Sequence, residues 1–206
     1  VQFSDCNSDY DYLNFITESG TVSINTYYLS DKYNYQPIIP GLATINIKNS
    51  NDSVLFNSVM ELEKAKPYTF LAYGTQSRVQ GMLLHDTIPD YSVNNSYFRF
   101  VNLANGTLAN DSDKTYIMFR IKGTYAISMI QPFKSASKFY PSYSGVYSID
   151  ILNAMNDSLL ITKRNMSLEP GKSYTFVLRG YYKGFGNQKL NLWIIESDFL
   201  LNLKEE

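Results

Sequence analysis

The sequence predicts an all-β protein, and three observations predict it. Its 206 residues include 18 Tyr and 12 Phe among many Thr, Ser, Val and Ile, a mixture suited to pleated, half-buried strands. Apolar and polar residues alternate with a period of two: Ala43, Ile45 and Ile47 share one face, and Thr44, Asn46 and Lys48 the other. No long segment carries the 3.6-residue period of a helix. A duplication then sets how many such units there are. Residues 41–56 (GLATINIKNSNDSVLF) return as 145–160 (GVYSIDILNAMNDSLL), and 67–74 (PYTFLAYG) return as 173–180 (SYTFVLRG). The offset is 104 at the glycine, 105 at Asn-Asp-Ser and 106 at Tyr-Thr-Phe, so one unit has been copied with little change in its loops.

Residues 1–11 are polar and acidic (Ser4, Asp5, Asn7, Ser8, Asp9, Asp11) and predict a flexible leader. Alternation begins at 12–16, continues through 21–24 and returns at 43–48. Residues 51–53 (NDS) then supply turn chemistry, because Asn and Asp tolerate left-handed backbone. Pro67 marks the turn before the strand at 68–73, Gly74 ends that strand, and a last strand follows at 80–84. The polar stretch 85–96 contains Pro89 and places a boundary near residue 92.

The second copy restarts at 97–102. Tyr147, Ile149 and Ile151 face inward, Ser148 and Asp150 outward; 156–158 form the equivalent turn, and strands follow at 174–179 and 190–195. About twenty extra residues lie over 106–113 and around 135–143. Seven or so short strands per copy predict two tandem antiparallel β-sandwiches of immunoglobulin-like or transthyretin-like type: leader 1–11, repeat 12–92, repeat 93–206. Halves of about 100 residues bury roughly two-thirds of their unfolded surface, enough for a core each.

A net charge of −1 with scattered Lys and Arg gives no footprint for nucleic acid and no basic stripe for a membrane surface. No apolar run approaches the roughly 20 residues of a spanning helix, so no integral span is expected. Cys6 is the single cysteine, which excludes an intramolecular disulfide. It reads either as an N-terminal lipid anchor, against which Asp5 stands, or as a free thiol in the leader. The chain opens on Val1, as a processed chain would.

Four blocks of the second copy, 98–104 (FRFVNLA), 116–123 (YIMFRIKG), 144–151 (SGVYSIDI) and 168–180 (LEPGKSYTFVLRG), resemble the blocks of domain-of-unknown-function family 4397. That family shows R-F-V-N-A-S, a strand ending in glycine, P-A-G-x-Y and L-x-A-G-x-x-Y-T-V. The first copy keeps Pro40-Gly41 and Tyr68-Thr69-Phe70 with Gly74, while Leu13-Asn14-Phe15-Ile16-Thr17, taken as its first block, lacks the Arg and the Asn. The resemblance implies β-sandwich domains of secreted or outer-membrane lipoproteins of gut Bacteroidetes, with no catalytic residues to transfer. Three Asp-Ser/Thr-aliphatic triplets resemble O-glycosylation sites of such envelope proteins, with Ser53, Thr87 and Ser158 as acceptors. The same triplets also read as turns entering strands.

Catalytic chemistry finds little to use. His85 is the only histidine, and no Gly-x-Ser-x-Gly elbow exists. One His and one Cys cannot build a transition-metal site, and no metal or cofactor is expected. The oxygen-rich runs 9–11 and 110–113 lack the spacing of a calcium loop. Glu61 and Glu63 lie on one side of one strand, not across a cleft. Aromatic residues near turns (Tyr27, Tyr28, Tyr33 and Tyr35; Phe139, Tyr140, Tyr143, Tyr181 and Tyr182) serve either as core or as exposed stacking platforms. Tyr140, Tyr143, Tyr181, Tyr182 and Phe185 are the binding candidates, because they sit partly in sequence the first copy lacks.

The sequence therefore predicts a non-enzymatic, monomeric, exported cell-envelope protein of the periplasm or outer-membrane surface, lipid-anchored, whose partner is a glycan or an envelope protein. Alternatives are a carbohydrate-binding accessory of a glycan-uptake system, or a surface-fibre subunit whose apolar tail 198–203 adds to a neighbour's sheet.

Overall fold

The computed structural model describes residues 1–6, 12–17, 22–27, 35–75, 78–104, 116–123, 126–182 and 184–197. The alternating runs form strands throughout, and the chain divides into two units, Val1–Thr87 and Ile88–Glu206. The division falls five residues before the boundary expected at 92, because Ile88 is buried with Tyr97 of the second unit.

The first unit contains β1 (Gln2–Asp5), β2 (Tyr12–Thr17), β3 (Val22–Tyr27), β4 (Gly41–Lys48), β5 (Val54–Leu62), β6 (Tyr68–Thr75) and β7 (Arg78–His85). They form two sheets, β3-β2-β4-β5 and β1-β6-β7. Leu13, Phe15, Ile45 and Ile47 of one sheet bury against Phe70, Ala72 and Val79 of the other. The second unit contains β8 (Ser96–Asn102), β9 (Ile117–Lys122), β10 (Ile127–Gln131), β11 (Ser135–Ala136), β12 (Tyr140–Ser142), β13 (Gly145–Asn153), β14 (Leu159–Leu168), β15 (Ser173–Arg179) and β16 (Asn191–Ser197). Its sheets are β10-β9-β13-β14 and β11-β8-β15-β16, with β12 also paired to β8. Phe98, Phe100, Phe176 and Leu178 face Phe119, Ile121, Tyr147, Ile149 and Ile151 across one core. The architecture is all-β, of the sandwich type.

Two expectations are corrected. The sheets are not wholly antiparallel, since β1 runs parallel to β6 and β8 runs parallel to β15. Residues 1–6 are also not a flexible leader: β1 is the first copy's counterpart of β8. Gln2 pairs with Thr69 as Arg99 pairs with Thr175, and the Cys6 amide donates to Ala72 as the Leu103 amide donates to Leu178. The first family-like block therefore has its counterpart at Gln2–Cys6. Leu13–Thr17 lies in β2, which pairs with β4 as β9 pairs with β13. Cys6 is 4% exposed, so a lipid on its sulfur would replace a packed side chain by an acyl chain.

The shared Tyr-Thr-Phe is structural at each position. The Tyr68 hydroxyl accepts the Glu63 amide at 3.0 Å, and the Tyr174 hydroxyl accepts the Glu169 amide at 2.9 Å, each tying a turn five residues upstream to the sheet. The Thr69 hydroxyl donates its one proton to Asp86 at 2.7 Å and lies 3.4 Å from Gln2 Oε1, and the Thr175 hydroxyl accepts Arg99 Nε at 2.9 Å, so this position sits against the parallel strand in both copies. Phe70 and Phe176 are fully buried. Replacing Tyr174 with Phe leaves the Glu169 amide without that acceptor. The expected cost is about 1–2 kcal/mol, seen as a lower urea midpoint in the fluorescence of Trp193, the chain's one tryptophan.

The drift in offset has two causes. Lys48 pairs with Val54 where Leu152 pairs with Leu159, so the second hairpin turn is one residue longer. Ala43, Thr44 and Ile45 then face Met60, Val59 and Ser58 in regular order, whereas Tyr147 and Ile149 face Met166 and Lys163. The extra residue is a β-bulge in β14, with Asn165 at φ 56°.

Candidate functional site

The second unit carries its exposed aromatic residues at two ends. β12 pairs with the first half of β8, Tyr140 opposite Phe98 and Ser142 opposite Ser96, so Tyr143 emerges at the Ser96 end. β15 runs parallel to β8 with Leu178 opposite Asn102, so Tyr181 and Tyr182 emerge at the other end. At about 3.3 Å per residue, the strand separates the two groups by about 20 Å. The five candidates do not form one row.

At the Ser96 end the backbone is pinned. Ser96 Oγ shares its one proton between the carbonyls of Ser142 (3.2 Å) and Tyr143 (3.1 Å), and the buried Tyr147 hydroxyl donates to the Tyr143 carbonyl at 2.9 Å. Ser142 Oγ in turn donates to Tyr147 Oη at 3.0 Å. The Tyr143 side chain is nevertheless 64% exposed, beside a hollow of about 230 Å³ lined by Asn95, Pro141, Ser142 and Tyr143. A fixed backbone under a free aromatic face is a preorganised contact, since little order remains to be lost on binding. Tyr140 belongs with the core: it is half-buried and tilted against Phe98 at 6.1 Å.

At the opposite end the Tyr181 amide donates to Gln188 and the Gly184 amide to Tyr181, closing a tight loop. Tyr181 and Tyr182 are half-buried, and Phe185 is 89% exposed where the loop enters a short 3-10 turn, Gly186–Gln188. Tyr182 lines a hollow of about 440 Å³ with Leu159, Leu160, Gly184, Lys189 and Leu190.

Ser53 and Ser158 are exposed in equivalent turns, where Asp52 (φ 61°) and Asp157 (φ 55°) hold left-handed backbone. The Ser53 amide donates to Asn49 Oδ1 and the Ser158 amide to Asn156 Oδ1. The turn role of these triplets is visible directly, and both hydroxyls lie at the surface. Thr87 is exposed between buried Asp86 and Ile88. His85 is exposed with its ring 4.7 Å from that of Tyr68, and Asp86 accepts the hydroxyls of Tyr35 (2.6 Å) and Thr69 (2.7 Å). Glu61 and Glu63 are exposed on one strand and its following turn.

The charged contacts are structural. The Lys122 ammonium, with the Thr162 hydroxyl, holds the Asp150 carboxyl below its ordinary value of 3.8. Glu196 and Glu169 hold the Lys172 ammonium well above its usual range. Among the described residues no group of three His, Cys, Asp or Glu could hold a metal ion, and no helix is long and apolar enough to cross a membrane. Residues 9–11 and 110–113, Tyr28, Tyr33 and the tail 198–203 lie outside the described residues. Asn95 was not legible as a site residue, because it lies in the polar stretch that marks the boundary and comes to share a hollow with Tyr143 only through the pairing of β12 with β8.

No family model and no curated protein matches the chain. Among solved structures it is similar to a leucine-rich repeat protein from Bacteroides thetaiotaomicron VPI-5482, at 10% identity and a TM-score of 0.17, over 86% of this chain and 25% of that one. The chain thus spans about a quarter of that protein's length, and so low a TM-score carries no argument about fold or function.

Proposed function

We propose that the protein is a non-catalytic recognition or assembly module of the cell envelope, exported, and built from two tandem immunoglobulin-like sandwiches. The observation that carries this reading is Tyr143, whose pinned backbone presents an exposed ring at the hollow lined by Asn95, where the first copy, with Gln36 bonded to Val1 as Tyr140 is paired with Phe98, has the aliphatic Ile39. The residues both copies share serve turns, strand pairing and core, which leaves the binding role to what differs. A hollow of about 230 Å³ lies below the roughly 300–1,000 Å³ of enclosing small-molecule sites, which suits surface contact with part of a larger partner. The family resemblance supplies the envelope location and the lipid anchor in this proposal, with Cys6 as a poor place for the lipid because it is buried.

A glycan is the second reading, favoured by the pairing of an aromatic face with a side-chain amide at one hollow. Wild-type protein on a glycan array is expected to bind, and Tyr143→Ala to lose at least about tenfold in affinity, the equivalent of one stacked ring. Tyr182→Ala, at the other end, is expected to bind as wild type. A blank array would remove the glycan reading and leave an envelope protein as partner.

A further inference from the structure

The two copies build the same sheet edge in opposite ways. β14 ends its sheet and carries Lys163 and Arg164 beside the bulge at Asn165. Bulges and exposed cations on an edge prevent another strand from adding to it. β5 ends the equivalent sheet of the first unit, and among the described residues no strand pairs with its outer side. It runs nine residues, Val54–Leu62, with no Pro, Lys or Arg and one charge at Glu61; its own register shift lies at its start, at Leu55, and Phe56–Leu62 is regular where β14 bulges. Val59 is 58% exposed at the position the bulge replaces, and its diagonal neighbour Leu42 on β4 is 74% exposed. An open edge of this length, flanked by exposed apolar side chains, is a template for strand addition.

We propose that β5 pairs antiparallel with β5 of a second copy, making a two-fold dimer in place of the monomer expected from sequence. The strand is self-complementary about its midpoint, Ser58. Overlap of the regular part of the strand sets Phe56 opposite Met60 and Asn57 opposite Val59. No like charges meet, and Phe56 and Met60, both half-buried at home, extend each other's apolar face across the new pair. A two-fold contact of this kind closes on itself and leaves no strand free to propagate a fibre through the same edge. β14 paired with itself would instead bring Lys163 and Arg164 of both copies together.

The test uses the whole chain and two surface variants, Asn57→Lys with Val59→Lys, and Asn57→Glu with Val59→Glu. Both positions are exposed, so the circular dichroism spectrum should match wild type, while the melting midpoint should fall because Asn57 donates to Asn46 at 2.6 Å and the dimer contact is lost. Wild type is expected to sediment as a concentration-dependent dimer. Each variant alone places like charges at two cross-strand pairs and is expected to weaken dimerisation about tenfold or more. An equimolar mixture of the two restores opposite charges and is expected to recover a heterodimer. A wild type that stays monomeric at its highest soluble concentration overturns the proposal. A dimer that survives in either variant, or a mixture that fails to pair, does the same.

Discussion

Phe176→Ala is expected to destabilise the second unit by about 3–5 kcal/mol. Against the roughly 5–15 kcal/mol that holds a domain folded, this leaves much of the unit unfolded on mild warming. Phe176 is fully buried, with its ring 5.6 Å from Phe100 and 6.1 Å from Phe98, and Phe100 stacks on Phe119 of the facing sheet at 4.6 Å. Truncation removes the ring's burial and leaves a cavity at the point where both sheets meet, and β strands on either side restrain collapse into it. Trp193 reports the result directly: it is 6% exposed and lies opposite Val177, the next residue along β15. A fall in the urea midpoint by Trp193 fluorescence, at unchanged slope, is the expected observation. A shift no larger than that of a surface substitution would show that the aromatic cluster does not anchor this core.

Gly180→Ala is expected to cost about 2–3 kcal/mol. The residue sits at φ +85°, and a Cβ there would fall 2.3 Å from the Lys189 carbonyl oxygen and 2.9 Å from its carbon. That backbone cannot yield easily, because Tyr181 donates to Gln188 and bridges to Lys189. Gly41→Ala is the contrast. Its φ of +113° is equally foreign to alanine, but nothing lies within 4 Å of the added carbon, so only backbone strain of about 1–2 kcal/mol is expected. Thermal melts of both variants separate strain from collision. Equal losses would mean that the contact with Lys189 relaxes freely.

Much of the fold was legible because it is written locally. Ala43, Ile45 and Ile47 alternate with polar neighbours, and all three are fully buried on β4. The turns at 51–53 and 156–158 announce themselves through Asn and Asp, and both hold left-handed backbone at the Asp. β1 escaped for the opposite reason. Gln2–Asp5 is short: Val1 and Phe3 alternate with Gln2 and Ser4, but over four residues only and ahead of an acidic run; what settles it as a strand is β6, where Gln2 lies beside Thr69, 67 residues away. The aromatic candidates failed as a group for a similar cause. Tyr143 and Tyr182 are both near turns, but turn chemistry does not say at which end of a strand the turn lies.

By itself, then, the sequence determined that this protein is all-β, that one unit is built twice, and that the residues common to both copies are scaffold. Alternation and turn chemistry are properties of neighbouring residues, so they survive without knowledge of the partner strands. Only the tertiary structure decided that Gln2–Asp5 is the first copy's opening strand, and that one of the second copy's extra residues is a bulge in β14 beside Asn165. It also decided that Tyr143 and Asn95 line one hollow while Tyr182 lies about 20 Å away. Each of these is a matter of register between strands far apart in sequence. Register is chosen by packing across the sheet, where a shift of one residue turns every side chain to the other face.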